Sequence, residues 1–346
     1  MKIGAYFFYL TFTESRILES PSSENGEDDI YSFYYLASRL KEMGHEIKLI
    51  KDDEIEGFDA LFFYDTPPLF SRIYRKLYRR QDIPAYLFIN ENPAVKPLNW
   101  MTIIHRPFKK VFLWNKDWVN NKKYFYWCHS FKPREIINPI PFEKKKLTCI
   151  INHQKYSPHP YELFSERTRA VRWFEQNEPN DFELWGDSWD RIYFRGILSP
   201  LNPKLRVFYR DHLNFMKVKS FPSWKGRAPE KYTVLREHRF CICMENADFP
   251  WYVTEKMYDA IYCGCVPVFK GCKEVYDFFP KEVFWNLDEF NGYGDLYDQM
   301  KKYTAQDYLS FLESAQTFLH SQKIKLRDPE SFVTIFNEHI LSESKI

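Results

Sequence analysis

The chain has 346 residues, enough for two domains with sizeable cores, and its 45% hydrophobic and 28% charged content is that of a globular protein. That balance excludes both a disordered chain and a membrane bundle. With 49 basic and 47 acidic residues the formal charge is +2, so there is no overall electrostatic footprint for nucleic acid.

Aromatic residues reach 19%, a surplus that mostly serves the core and leaves rings to spare for stacking on sugars. Among the seven cysteines, Cys241, Cys243, Cys263 and Cys265 fall in or beside apolar runs, where they read as small core hydrophobes rather than metal ligands. An odd count without framework spacing predicts reduced thiols and a cytoplasmic setting. Met1 to Leu10 is apolar but short, with neither a basic flank nor a cleavage site, and reads as a core strand instead of a membrane anchor.

In chain order, Lys2 to Phe8 is a strand, Thr11 to Asp28 a polar loop and Asp29 to Met43 a helix. Glu46 to Ile50, Phe58 to Tyr64 and Ala85 to Asn90 are further strands, with a basic helix at Leu69 to Arg80. This alternation predicts a Rossmann-like parallel sheet whose ligand-facing edge is formed by the loops after its strands. The strand at Ala85 to Asn90 runs into Glu91-Asn92-Pro93, and Phe108 to Leu113 runs into a segment where Asp117 can cap a short helix from Trp118 to Tyr124. Little periodicity and several prolines between Phe131 and Lys146 mark a linker. The resulting division is 1–135 for a first Rossmann-like domain, 136–146 for the linker, 147–325 for a second and 326–346 for a terminal helix.

The second alternation opens with a strand at Leu147 to Ile151 and a helix from Tyr161 to about Gln176, whose apolar stripe is Ala170, Val171 and Phe174. A strand at Phe182 to Trp185 ends at Gly186. Trp224-Lys225-Gly226-Arg227 then precedes a helix with Pro229 near its start. Arg239 to Met244 and Cys265 to Phe269 read as buried strands flanking a helix that Thr254 caps, that buries Val253, Met257 and Ile261, and that Gly264 closes. Glu245, Asn246, Tyr252, Glu255 and Lys256 collect at the junction of the first strand with this helix. A helix start with a lysine beside it suits a phosphate or diphosphate. The plainer reading pairs Lys256 with Asp259 at i,i+3 on a solvated helix face. A short strand near Asp288 and helices at Gly294 to Lys302, Gln306 to His320 and Pro329 to Leu341 complete the chain. There is no Gly-x-Gly-x-x-Gly, phosphate loop, Asp-x-Asp or His/Cys ligand spacing, so no metal site and no cofactor is expected.

The run MENADFPWYVTEKMYDAIYCGCVPVFKG, Met244 to Gly271, resembles the signature of the α1,3/4-fucosyltransferase family (glycosyltransferase family 10), with Met244 in place of the usual Phe. The resemblance implies a GT-B architecture of two Rossmann-like domains facing each other across a cleft, in an anchorless bacterial-type or viral member. It further implies an inverting, metal-independent transferase that moves L-fucose from GDP-L-fucose to a saccharide hydroxyl, for instance α1,3 to a GlcNAc-type sugar of a surface glycan. At most it would touch a membrane peripherally. Donor contacts carried over by resemblance are Glu245, Asn246, Tyr252, Thr254, Glu255 and Lys256, with Lys225 in the Trp-x-Gly segment and an arginine near the start of the helix from Tyr161. Arg167 fits that arginine best and Arg169 competes. For the general base, relatives place an acidic residue about seven positions before a Tyr, as Asp117 stands to Tyr124, and show a Glu-x-Pro comparable to Glu91. Asp117 is the first candidate and Glu91 the second. Acceptor contacts are expected in loops around Thr11 to Asp28 and Pro67 to Arg80. A transferase of the same architecture using another nucleotide sugar, or a carbohydrate-binding protein without activity, are the alternatives.

Overall fold

A computed structural model of the chain describes residues 1–8, 17–21, 30–50, 54–190 and 221–342, so most of the polar loop expected at Thr11 to Asp28 lies outside the described residues. The chain divides into two compact units, Met1–Pro133 with Ser321–Ile346, and Arg134–His320.

In the first unit, β1 (Lys2–Phe7), β2 (Glu46–Leu49), β3 (Ala60–Tyr64), β4 (Ala85–Ile89), β5 (Lys110–Leu113) and β6 (Tyr124–Tyr126) form one wholly parallel sheet in the order β2-β1-β3-β4-β5-β6. Both faces of the sheet are covered, which explains why β3 and β4 are apolar at every position. Phe7, Phe62, Phe88 and Phe112 pack on one face against Phe33, Leu36 and Leu40 of helix α1 (Tyr31–Glu42). Leu61, Phe63, Leu87 and Val111 pack on the other against Ile73, Tyr74 and Leu77 of α2 (Arg72–Arg79).

The helix expected from Trp118 to Tyr124 is not formed. Lys116–Trp118 is a single 3-10 turn, and Asn115 rather than Asp117 caps it by accepting the Asp117 N–H at 2.9 Å. The reason is local: the Asn120 side chain accepts from the N–H groups of Lys122, Lys123 and Tyr124 at 3.0 to 3.1 Å, which closes a turn and sends Tyr124 out as a strand beside Val111.

The second unit repeats the plan. Strands β7 (Lys146–Ile151), β8 (Phe182–Trp185), β9 (His238–Met244), β10 (Val266–Lys270) and β11 (Trp285–Asn286) are parallel in the order β11-β10-β9-β7-β8. Helices α3 (Phe164–Asn177), α4 (Lys231–Arg236), α5 (Glu255–Tyr262), α6 (Val275–Phe278), α7 (Tyr293–Lys302) and α8 (Ala305–Leu319) connect or follow them. Gly186 sits at φ +123 with its would-be Cβ 2.0 Å from the Asn152 carbonyl oxygen, so only glycine lets the chain leave β8 this close to the end of β7. Gly264, at φ +57, ends α5 as expected.

From Ser321 the chain belongs to the first unit again, through α9 (Gln322–Lys325) and α10 (Pro329–Phe336). Phe332 and Phe336 of α10 complete the aromatic core with Phe62 and Phe88, at ring-centroid distances of 5.4 to 6.1 Å. Among the described residues, no helix is long and apolar enough to cross a membrane.

Candidate functional site

The carboxyl end of β9 delivers Glu245 and Asn246 to the start of α5, and α3 delivers Arg167 to the same place. Parallel pairing with both β7 and β10 makes β9 an interior strand, so groups at its end are shielded from water. Glu245 is fully buried. One carboxylate oxygen accepts the Thr254 N–H at 2.7 Å, the other accepts the Lys256 ammonium at 3.1 Å, and the Thr254 hydroxyl donates at 2.8 to 3.0 Å to both. Lys256 also donates to the Thr254 hydroxyl oxygen at 2.7 Å and lies 3.5 Å from Glu255.

Thr254 occupies the N-cap position of α5, but its side chain makes no capping bond to the helix; the Glu245 carboxylate has claimed it. The first N–H groups of α5 therefore have no side-chain cap, as an anion-binding helix start requires. Pairing of Lys256 with Asp259 on a solvated face does not occur either. Asp259 instead holds Lys231 of α4 at 2.6 Å, the carboxylate buried and the lysine half-buried.

Arg167 is 2% exposed, whereas Arg169 lies out on the surface in an ion pair with Glu166. The Arg167 guanidinium donates to the Met244 carbonyl oxygen at 2.7 Å and to the Asn246 side-chain oxygen at 3.0 Å, tying α3 to the end of β9. Burial lowers its pKa to about 10 against the pull of Glu245, so it remains a cation at neutral pH. For Lys256 the burial penalty is outweighed by Glu245 and Glu255, and its pKa is raised. Partial desolvation of the half-exposed Glu255 opposes its ionisation as well, but Lys256 and Lys231 overcome it and hold that carboxyl at about 2. Tyr252 is buried in the loop before α5. Lys225 is exposed in the turn at Gly226, its N–H donating to the Leu184 carbonyl at 2.8 Å. One cluster thus gathers Arg167, Glu245, Asn246, Thr254, Glu255 and Lys256, and leaves Arg169 outside it. Lys231 and Asp259 were missed as a pair because nothing local in the sequence links α4 to α5.

In the first unit, Glu91 follows β4 and is half-buried, while Asp117 is exposed on its 3-10 turn. Around Glu91 lies a polar network that sequence reasoning did not find. Buried Asp65, at the end of β3, accepts the N–H groups of Asn90 at 2.8 Å and Glu91 at 3.2 Å and the side-chain amide of Asn99 at 2.6 Å. Lys96 donates to the Thr66 carbonyl and covers the Phe8 ring. Burial lowers its ammonium pKa to about 7 and pushes the Asp65 carboxyl up. Among the described residues, no three His, Cys, Asp or Glu side chains are gathered as they would be around a metal ion.

Comparison with known proteins bears on this arrangement. Residues 205–334 match the family model described as "Glycosyltransferase family 10 (fucosyltransferase) C-term". The chain is 26% identical over 154 residues to an alpha-(1,3)-fucosyltransferase of Helicobacter pylori, covering 41% of this chain and 32% of that protein. It is 28% identical over 165 residues to the 4-galactosyl-N-acetylglucosaminide 3-alpha-L-fucosyltransferase of Homo sapiens, covering 46% and 40%. These matches span only about a third to two fifths of the relatives' length. Among solved structures, an alpha1,3-fucosyltransferase with GDP-fucose superposes with a TM-score of 0.53 at 13% identity over 97% of this chain and 89% of that one. An alpha-glucosyltransferase in complex with UDP and a mismatched DNA superposes at 0.58 with 9% identity over 99% and 100%. Identities this low establish the fold alone, and that fold is α/β with two Rossmann-like units, the GT-B architecture.

Proposed function

We propose, from the premise that this chain belongs to glycosyltransferase family 10 through residues 205–334, that it transfers L-fucose from GDP-L-fucose to a saccharide hydroxyl with inversion at the anomeric carbon. The observation that carries the proposal is the cluster of Arg167 and Lys256 at the start of α5, whose first N–H groups lack a side-chain cap. A diphosphate leaving group develops negative charge as the glycosidic bond breaks. One buried and one half-buried cation and a helix N-terminus, fixed beforehand, stabilise that charge without reorganising. Glu245 is then a positioning group: with both oxygens engaged by Thr254 and Lys256, it sets the geometry of the cation. Glu255, held ionised, is suited to accept from donor hydroxyls, and Asn246 at the end of β9 and Tyr252 in the loop before α5 complete the donor contacts.

For the base we favour Glu91 over Asp117, because its backbone is held in place at the end of an interior strand while Asp117 sits on an exposed turn. The name of the human relative specifies a 4-galactosyl-N-acetylglucosaminide acceptor, and we propose a GlcNAc-type acceptor of that class here.

Structures of similar fold bind UDP, so the nucleotide is the point to test. In a thermal-shift titration, GDP and GDP-fucose at a hundredfold excess over Kd should stabilise the protein by about 3 kcal/mol, and UDP by a small fraction of that. Equal stabilisation by UDP or UDP-sugars would assign the chain to another donor. Because the cations above serve the leaving group, GDP-fucose turnover should persist in excess EDTA. Complete loss of turnover, restored by added Mn²⁺ or Mg²⁺, would transfer the leaving-group role to a metal ion.

A further inference from the structure

The Asn90–Glu91 backbone is gripped at every polar atom by side chains. Asp65 accepts both N–H groups, at 2.8 and 3.2 Å. The Trp114 indole N–H donates to the Asn90 carbonyl at 3.0 Å, and the Trp100 indole N–H donates to the Glu91 carbonyl at 2.9 Å. The Asn99 side-chain amide reaches the Glu91 carbonyl at 3.3 Å and the Asp65 carboxylate at 2.6 Å, while its oxygen accepts the Thr66 N–H at 3.0 Å and hydroxyl at 2.8 Å. The indole rings of Trp100 and Trp114 pack 4.8 Å apart, so the two donors brace each other.

A strand end needs none of this. Backbone groups just past a strand ordinarily bond to water or to a turn, and a fully buried carboxylate is costly to place. Asp65 is also held in the left-handed backbone region at φ 63, an arrangement that persists only where its surroundings enforce it. The combined effect is to hold the Cα of one half-buried glutamate in a fixed frame. Resting on the assignment of Glu91 as base, we infer that Asp65, braced by Asn99 and Trp100, is a positioning residue that aims the Glu91 carboxylate at the acceptor hydroxyl. Asp65 touches neither substrate; it acts through the Asn90–Glu91 backbone. A general base misaimed by about 1 Å loses on the order of a hundredfold in rate, so such a frame has a direct kinetic consequence.

The test measures GDP release from GDP-fucose by the full chain in the presence of a 4-galactosyl-N-acetylglucosaminide, alongside GDP binding by calorimetry. Trp100→Phe, which deletes the indole N–H and keeps an aromatic ring, should lower kcat by about threefold to tenfold, and Asp65→Ala by about tenfold or more. GDP affinity should stay within about twofold in both, because the donor contacts lie in the other unit. Asp65→Asn keeps an acceptor oxygen for the two N–H groups and should recover most of the lost turnover. In the Glu91→Gln background, neither Trp100→Phe nor Asp65→Ala should cost anything further, a non-additivity that a merely structural role would not produce. Losses that add to that of Glu91→Gln, or wild-type kcat in Trp100→Phe and Asp65→Ala while Glu91→Gln is impaired, overturn the clamp and leave Glu91 as base. Wild-type kcat in Glu91→Gln overturns the base assignment and the clamp together. Should Asp65→Ala not fold, Trp100→Phe and its double variant decide the matter alone.

Discussion

Glu91→Gln is expected to lower kcat by about a hundredfold or more while leaving GDP-fucose affinity nearly unchanged. A general base takes the acceptor proton only as the hydroxyl attacks, so its loss removes an interaction made in the transition state and not in the donor complex. Gln is isosteric and can still accept a hydrogen bond, which keeps the half-buried side chain in its place. Asp117→Asn serves as the contrast. Its backbone N–H is capped by Asn115 and its side chain is exposed, so the substitution should change kcat by no more than about threefold. Steady-state kinetics on the two variants, with circular dichroism to confirm folding, separate the candidates. If Asp117→Asn is the variant that loses turnover and Glu91→Gln is not, the base belongs on the 3-10 turn.

The second large effect is expected at the donor cations. Lys256→Ala would delete the proposed charge-assisted contact to the diphosphate, which is worth about 1.5–3 kcal/mol, so GDP affinity should fall on the order of tenfold or more, and turnover further still. It also leaves Glu245 buried without its cation. Breaking a buried pair from one side typically costs about 3–5 kcal/mol of stability, so the variant should melt lower as well. The double variant Lys256→Met with Glu245→Gln should recover stability without recovering GDP affinity, which separates the two roles. Arg167→Met should behave like Lys256→Ala in binding, since that guanidinium is buried and joins α3 to the end of β9. Arg169→Ala should alter GDP affinity by less than about twofold, its charge being exposed and already paired with Glu166. A larger loss at Arg169 than at Arg167, read by calorimetry, would mean that the wrong face of α3 has been assigned to the diphosphate.

By itself the sequence determined the β/α alternation, because strands buried on both faces are continuous apolar runs and helices are not: Ala60–Tyr64, Ala85–Ile89 and residues 240–244 stand out without any tertiary knowledge. It also determined the place of the polar cluster at the end of β9, since the groups from Glu245 to Lys256 lie close together in the chain and a helix start after a strand is a local feature. The burial of Arg167 and the exposure of Arg169 were legible as well, from the spacing to Ala170, Val171 and Phe174 on one helix stripe.

Only the tertiary structure decided how the charges pair. Lys256 has an acidic residue at i+3, and local spacing alone joins them; the fold instead turns Lys256 to Glu245, eleven residues away, and gives Asp259 to Lys231. The reason is burial: inside the unit each charge must find the partner that best offsets its desolvation, whatever the separation along the chain. The Asp65 network is invisible in the sequence for the same reason. Its members at 65, 90, 91, 99, 100 and 114 meet because parallel strands β3, β4 and β5 end side by side, and that adjacency is a property of the sheet order rather than of any one segment.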